Sequence, residues 1–149
     1  MNAQPEHAVS RFIKLAADGS HLAPDANDYT GILNIRDGIV TVYASDRYLT
    51  QSDAEKACAK LAQLPGHTPW QLISDKDGEL IIDRRFYNPA VDPEEYPHIM
   101  PEPHWTRTDY KSSSDVAWGV NFYGGSVGCN SRSGRARALA VCRPVPASQ

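Results

Sequence analysis

The sequence predicts an α+β domain, with helices early and a small antiparallel sheet late. Three observations carry this. Apolar residues recur at helical spacing between Thr50 and Leu64, Val116 to Tyr123 alternates at strand spacing, and between them Pro89, Pro93, Pro97, Pro101 and Pro103 interrupt regular structure. At 149 residues the chain has the length of one domain able to bury its own core.

The first 28 residues are polar apart from Phe12, Ile13 and Leu15, so they read as one short strand and a loop, an N-terminal arm that could serve for attachment. The remainder, 29–149, forms the domain proper. From Tyr29 to Val42, two apolar runs flank Asp37-Gly38, a dipeptide that supplies the positive φ of a tight hairpin turn. In the helix over Thr50–Leu64, Ala54, Ala57, Cys58, Leu61 and Leu64 share one face. Ser52 with Glu55 has the pattern of a capping box, Thr50 is the competing cap, and Pro65-Gly66 ends the helix. Ser74-Asp75-Lys76-Asp77 starts a second, short helix running to about Arg84, weakened by Gly78 by about 1 kcal/mol relative to Ala. Tyr87 to His104 is a long, stiff, irregular loop, because each proline lacks a backbone donor; loops of this length usually carry function. Strands follow over Trp105–Tyr110, Val116–Tyr123, Ser126–Cys129 and Ala136–Arg143, with Gly124-Gly125 closing a hairpin.

Composition excludes several functions. Fifteen Lys and Arg against 18 Asp and Glu give a net charge of −3 with no basic stripe, so nucleic acid is not an expected partner. No apolar run approaches the roughly 18 residues of a membrane span, so no membrane insertion is expected. Met1 to His7 has neither the basic nor the apolar region of a signal peptide. The five His sit in Pro-rich or terminal loops without a nucleophile motif around them, so neither catalysis nor a cofactor is expected.

Five motifs follow one another in order: Trp70-Gln71-Leu72, Tyr87-Asn88-Pro89-Ala90-Val91-Asp92, His104-Trp105-Thr106-Arg107-Thr108, Ala117-Trp118-Gly119-Val120-Asn121-Phe122, and Ala140-Val141-Cys142-Arg143. Together they resemble the DUF1566 family, also known from the C-terminal domain of the Legionella collagen-like adhesin, over roughly Tyr29 to Arg143. Gln71 stands where Arg is usual in that family, Ile73 replaces a Pro, and Val40-Thr41-Val42 lies where many members carry Trp. The resemblance implies a C-type-lectin-like fold: two helices, a small twisted antiparallel sheet and long irregular loops. It also implies a standalone phage or prophage member. The expected function is then a virion protein of the tail or surface that binds a host-surface glycan or protein. The alternative is a structural decoration protein that binds neighbouring virion subunits, and a homo-oligomer is compatible with both. Assembly in the host cytoplasm would explain the N-terminus. A formylglycine-generating enzyme is a third reading, for which Cys129 has no partner nearby in sequence.

In C-type-lectin-like domains a Cys of the first helix is commonly bonded to one of the last strand. The resemblance thus implies a disulfide between Cys58 and Cys142, with two buried thiols in contact as the equal alternative and Cys129 left free. A calcium site would need hard oxygen ligands that Glu102-Pro103-His104 and Trp118-Gly119-Val120-Asn121 only half provide, so no metal is expected. Asp92, Glu94 and Glu95 read as a solvated acidic loop. Trp70 and Trp118 read as core and Trp105 as more open. The expected ligand face is the late hairpin and the loop after it, Asn121, Tyr123, Asn130, Ser131, Arg132, Ser133 and Arg135, joined by Trp105 and Arg107, because exposed Tyr, Asn, Ser and Arg resemble adaptable paratopes.

Overall fold

The computed structural model describes residues 10–146. Residues 1–9, the outer part of the expected N-terminal arm, lie outside the described residues. The elements are β1 (Phe12–Leu15), β2 (His21–Leu22), β3 (Gly31–Asn34), β4 (Ile39–Tyr43), α1 (Gln51–Ala59), β5 (Gln71–Leu72), α2 (Asp75–Ile81), β6 (Pro103–Asp109), β7 (Val116–Asn121), β8 (Ser126–Ser131) and β9 (Leu139–Cys142). They build a six-stranded sheet in the order β2-β1-β3-β4-β9-β5 and a three-stranded sheet in the order β6-β7-β8, every pair antiparallel. The class is α+β, and the arrangement is consistent with the C-type-lectin-like fold that the resemblance implies.

β9 organises the core. All four of its residues are buried, and they alternate between two apolar clusters. Ala140 and Cys142 face one cluster with Val40, Cys58, Trp70 and Trp105, whereas Leu139 and Val141 face the other with Ile39, Ile81, Tyr96 and Phe122. The first cluster seats α1 and the second seats α2 and the Pro-rich loop. A parallel bridge from His104 to Arg137 then joins the two sheets.

The hairpin over β3 and β4 turns at Gly38, whose φ of +69° is the conformation that Asp37-Gly38 predicts. α1 is capped by Thr50, whose hydroxyl accepts the Asp53 N–H at 3.3 Å, so the Ser52 box does not form. Gln51 fixes this choice: it is buried, and its amide donates to the Thr106 carbonyl at 3.0 Å. The helix ends at Ala59 rather than Leu64: the Lys60 and Leu61 N–H groups close on the Ala57 and Cys58 carbonyls at 3.3 and 3.2 Å as a tight last turn, the Trp70 indole donates to the Ala62 carbonyl beyond it, and Leu64 reaches the core from outside the helix.

α2 opens with Ser74 and Asp77 in a reciprocal capping box and ends three residues before Arg84. Asp77 is also a junction, since it accepts from Arg143 at 2.8 Å and from Arg107 at 3.4 Å and so ties α2 to β6 and to the end of β9. These bonds hold its carboxyl below the ordinary range despite the opposing push of burial. Gly78 has a reason that propensity alone hides: a Cβ there would lie 2.3 Å from Val120 Cγ2. Gly78→Ala is therefore expected to lower stability by about 1–3 kcal/mol through overpacking, against the gain of up to about 1 kcal/mol that helix propensity gives. Urea denaturation of the variant measures the sign.

Two sequence expectations are corrected. Asp92 and Glu95 are buried, not solvated: Arg11 pairs with Asp92 at 2.6 Å and Arg36 with Glu95 at 3.0 Å, which fastens the Pro-rich loop to β1 and the β3–β4 turn. Trp118 is half-buried, its ring edge-on to Tyr110 at 5.5 Å, because the core at that point of β7 is reached by Ala117 on the opposite face. The short strand expected before residue 28 is β1, which with the two-residue β2 belongs to the large sheet. Cys58 and Cys142 are free thiols within one core cluster, and burial pushes each up to about 12. Neither carries appreciable thiolate at neutral pH.

Candidate functional site

The residues expected to form one ligand face separate into four places. Trp105 is in the core at 1% exposure, its indole N–H donating to the Leu49 carbonyl at 2.8 Å. It belongs to the first cluster with Ala117, Ala136 and Trp70, and it also lines one of the two hollows described below. Arg107 is a brace, donating to the Leu72 carbonyl at 2.6 Å and to Asp77. Arg132 is likewise held, between Gln51 Oε1 at 2.7 Å and Asp109 Oδ1 at 3.0 Å, so its guanidinium orders the β8–β9 loop against α1. Tyr123 is exposed but stands against Tyr87, with ring centroids 4.9 Å apart, at the mouth of the Pro-rich loop.

Asn121, Asn130, Ser131 and Arg135 do converge. On one face of the three-stranded sheet the cross-strand rows are Pro103–Asn121–Ser126, then Trp105–Gly119–Gly128, then Ala117–Asn130. The middle row has no side chain at Gly119 or Gly128, so a trough runs across the strands between polar rims. It comprises two adjoining hollows. One of about 180 Å³ is lined by Pro103, Gly119, Val120, Asn121, Ser126, Gly128 and Asn130, and one of about 270 Å³ by Pro103, Trp105, Asn130, Ser131, Gly134, Arg135 and Ala136. Pro103 and Asn130 belong to both, so the hollows form one groove.

Local geometry fixes this surface. Asn121 Oδ1 accepts the Tyr123 N–H at 3.0 Å, which orients the amide at the start of the β7–β8 turn. The Asn130 amide lies over Gly119, where a Cβ would come within 2.6 Å of its Nδ2. Ser131 and Ser133 hydroxyls meet at 2.9 Å and tighten the loop that presents Arg135. Ser126, Asn130, Ser131, Ser133 and Arg135 are all exposed. The groove therefore offers amide and hydroxyl donors and acceptors, one guanidinium and the apolar rings of Pro103 and Trp105. Its lining contains no carboxylate, imidazole or thiol.

The histidines and the half-matched calcium motifs have structural partners. His104 is fully buried and donates from Nδ1 to the Glu102 carbonyl at 2.7 Å, while its Nε2 accepts from the Tyr43 hydroxyl at 2.7 Å. That hydroxyl in turn accepts the Met100 N–H at 2.9 Å. His98 Nε2 meets Thr41 Oγ1 at 2.8 Å. Burial lowers His104 to about 4 and His98 to about 3. Glu102 accepts from Tyr48 at 2.7 Å and from Arg137 at 2.5 Å, which occupies the carboxylate a cation would need.

Sequence reasoning missed Pro103, Gly119, Ser126, Gly128 and Gly134. Glycine inside a strand was the available signal, because it marks a close approach of backbone or ligand. No curated protein matches the chain. A family model described as the Lcl C-terminal domain matches residues 25–142, which include every strand from β3 onward, both helices and the whole groove. The chain belongs to the Lcl C-terminal domain family.

Proposed function

We propose that this protein is a non-enzymatic binding module whose groove on β6, β7 and β8 takes a hydroxyl-rich ligand, a host-surface glycan above all. Family membership supports a binding domain. The observation that carries the reading is the trough over Gly119 and Gly128, rimmed by exposed Ser126, Asn130 and Arg135. Amides and hydroxyls of this kind pair with the vicinal hydroxyls of a sugar, a proline ring supplies an apolar contact, and Gly128, where a Cβ would meet nothing within 4 Å, lets the ring approach the backbone. The lining has no carboxylate, imidazole or thiol to activate the hydroxyls of Ser126 and Ser131, so the groove favours binding over turnover. The setting we propose is the exterior of a phage or prophage particle, where such a module would serve attachment.

A glycan microarray tests this. Wild-type protein should retain at least one glycan, and Asn130→Ala combined with Arg135→Ala should weaken it by about tenfold or more, as loss of two anchoring hydrogen-bonding groups implies. Absence of any glycan binding, or binding indifferent to the double substitution, would refute the proposal.

A further inference from the structure

The three-stranded sheet has one open edge. The outer side of β6 is stitched down: Trp105 N–H donates to the Arg137 carbonyl at 3.0 Å, Arg137 N–H to the Pro103 carbonyl at 3.0 Å, and Arg107 N–H to the Ile73 carbonyl at 2.8 Å. The six-stranded sheet ends in β2 and β5, each only two residues long. β8 is different. It is six residues long, five of them exposed, it is last in its sheet, and no described strand pairs with its outer side. Protein edges usually carry a lysine, a proline, a bulge or a cover that prevents pairing. Ser126-Val127-Gly128-Cys129-Asn130-Ser131 has no charge and no proline, and its register with β7 is unbroken from Val116↔Ser131 to Asn121↔Ser126.

We propose that β8 is a pairing edge for a second copy of this chain, antiparallel to its own counterpart. Charge favours this occupant. An uncharged strand brings no like charges face to face when it meets itself, and the antiparallel arrangement sends Arg132 and Arg135 of the two copies to opposite ends of the junction. The symmetry has a consequence for the groove. Two antiparallel neighbours related by a two-fold are rotated within the sheet plane, so they keep the same face on the same side. The two sheets then join into one of six strands, β6-β7-β8 followed by the partner's three. Ser126, Gly128 and Asn130 line the groove from the strand at the junction, so the two grooves lie side by side on a continuous floor. A repeating ligand could engage both, with the gain in avidity that linked sites give. That last consequence rests on the groove reading, whereas the pairing itself does not.

The two-fold must be centred on Gly128 or on Cys129, because only those registers preserve the face over most of the strand. In the first, Cys129 lies opposite the partner's Val127 with the two thiols diagonal; in the second, the two Cys129 lie opposite one another, so both place the thiols within reach of a short linker. Cys129 is exposed and sits on the face away from the groove, paired in register with Trp118, while Cys58 and Cys142 are buried and serve as internal controls.

The test is sedimentation velocity of the full chain without glycan, from about 1 μM to about 500 μM, a range suited to an interface smaller than the standard size. A short bismaleimide is applied in parallel. The expected result is a reversible monomer–dimer equilibrium, with a dimer cross-linked through Cys129 alone. Cys129→Lys should raise the dissociation constant at least tenfold by placing two ammonium groups at the junction, and Cys129→Ser should leave it unchanged. Both should melt like the wild type, since the side chain is exposed. A wild-type monomer at every concentration, a dimer unaffected by Cys129→Lys, or a dimer that fails to cross-link at Cys129 would each overturn the proposal. Because the readout is mass in the absence of glycan, failure of the groove to bind sugar leaves this result standing. Conversely, the monomeric Cys129→Lys form still tests the groove.

Discussion

Trp105→Ala should lower the stability of the domain by about 3–5 kcal/mol, the range for removing a buried aromatic. The ring is 1% exposed among Ala117, Ala136 and Trp70, and its N–H satisfies the Leu49 carbonyl between β4 and α1. Deleting it opens a cavity and removes one of the two hydrogen bonds to that carbonyl, which keeps the Ala136 N–H at 2.9 Å. Trp105→Phe retains most of the volume and loses the hydrogen bond, so its cost should be nearer 1–2 kcal/mol. Urea denaturation of the two variants checks both values. A Trp105→Ala protein of native stability would contradict the core assignment.

Stability should fall between pH 6.5 and about 4.5, before the carboxylates titrate. His104 is held neutral, its proton on Nδ1 committed to the Glu102 carbonyl and its Nε2 lone pair to Tyr43. Its folded value, lowered to about 4 by burial, lies below the unfolded value of about 6.5. The unfolded chain therefore takes up the proton first. The stabilisation is complete above pH 6.5 and is lost as pH falls through the window down to the folded value, about 3 kcal/mol for His104. His98, lowered to about 3 with Lys14 and His104 adding to the effect of burial, steepens the same limb. Asp77 and Glu102 are also lowered, and as carboxylates they lose their contribution only below the ordinary carboxylate range, so the two effects separate on the pH axis. Unfolding free energies at pH 7, 6 and 5 should decline, and His104→Gln should remove part of that slope. The ring carbon resonances of His104 should keep their neutral-form positions at pH 5. A flat profile, or titration of His104 near pH 6.5, would contradict this picture.

The parts of the fold that were legible in the sequence are those set by local chemistry. Asp37-Gly38 fixes its turn through backbone geometry alone, Ser74 and Asp77 cap α2 through atoms three residues apart, and the alternation after Val116 locates β7. The pattern of β9 shows the limit of such reading: its four residues serve two clusters at once, and nothing near them in sequence announces the second. The same limit governs the site. Arg107, Arg132, Asp92 and Glu95 have the appearance of surface charges in one dimension. Their partners Asp77, Gln51, Arg11 and Arg36 stand 30 to 81 positions away or in another element altogether, so only the fold reveals them as braces. Asn121, Asn130, Ser131 and Arg135 were legible because a hairpin brings them together locally. Pro103 enters through the β6–β7 register, and the glycine row is visible only once β7 and β8 are aligned.

The central claim is that ligand is held in the trough over Gly119 and Gly128. Backbone amide shifts of the isotope-labelled protein, titrated with a glycan retained on the array, test it most directly. Perturbations should concentrate at Gly119, Asn121, Ser126, Gly128, Asn130 and Arg135, and leave Tyr87, Phe86 and the rest of the Pro-rich loop unmoved. A map centred instead on Tyr87 and Tyr123, with the glycine row silent, would contradict the account and move the binding site to the aromatic patch beside the loop.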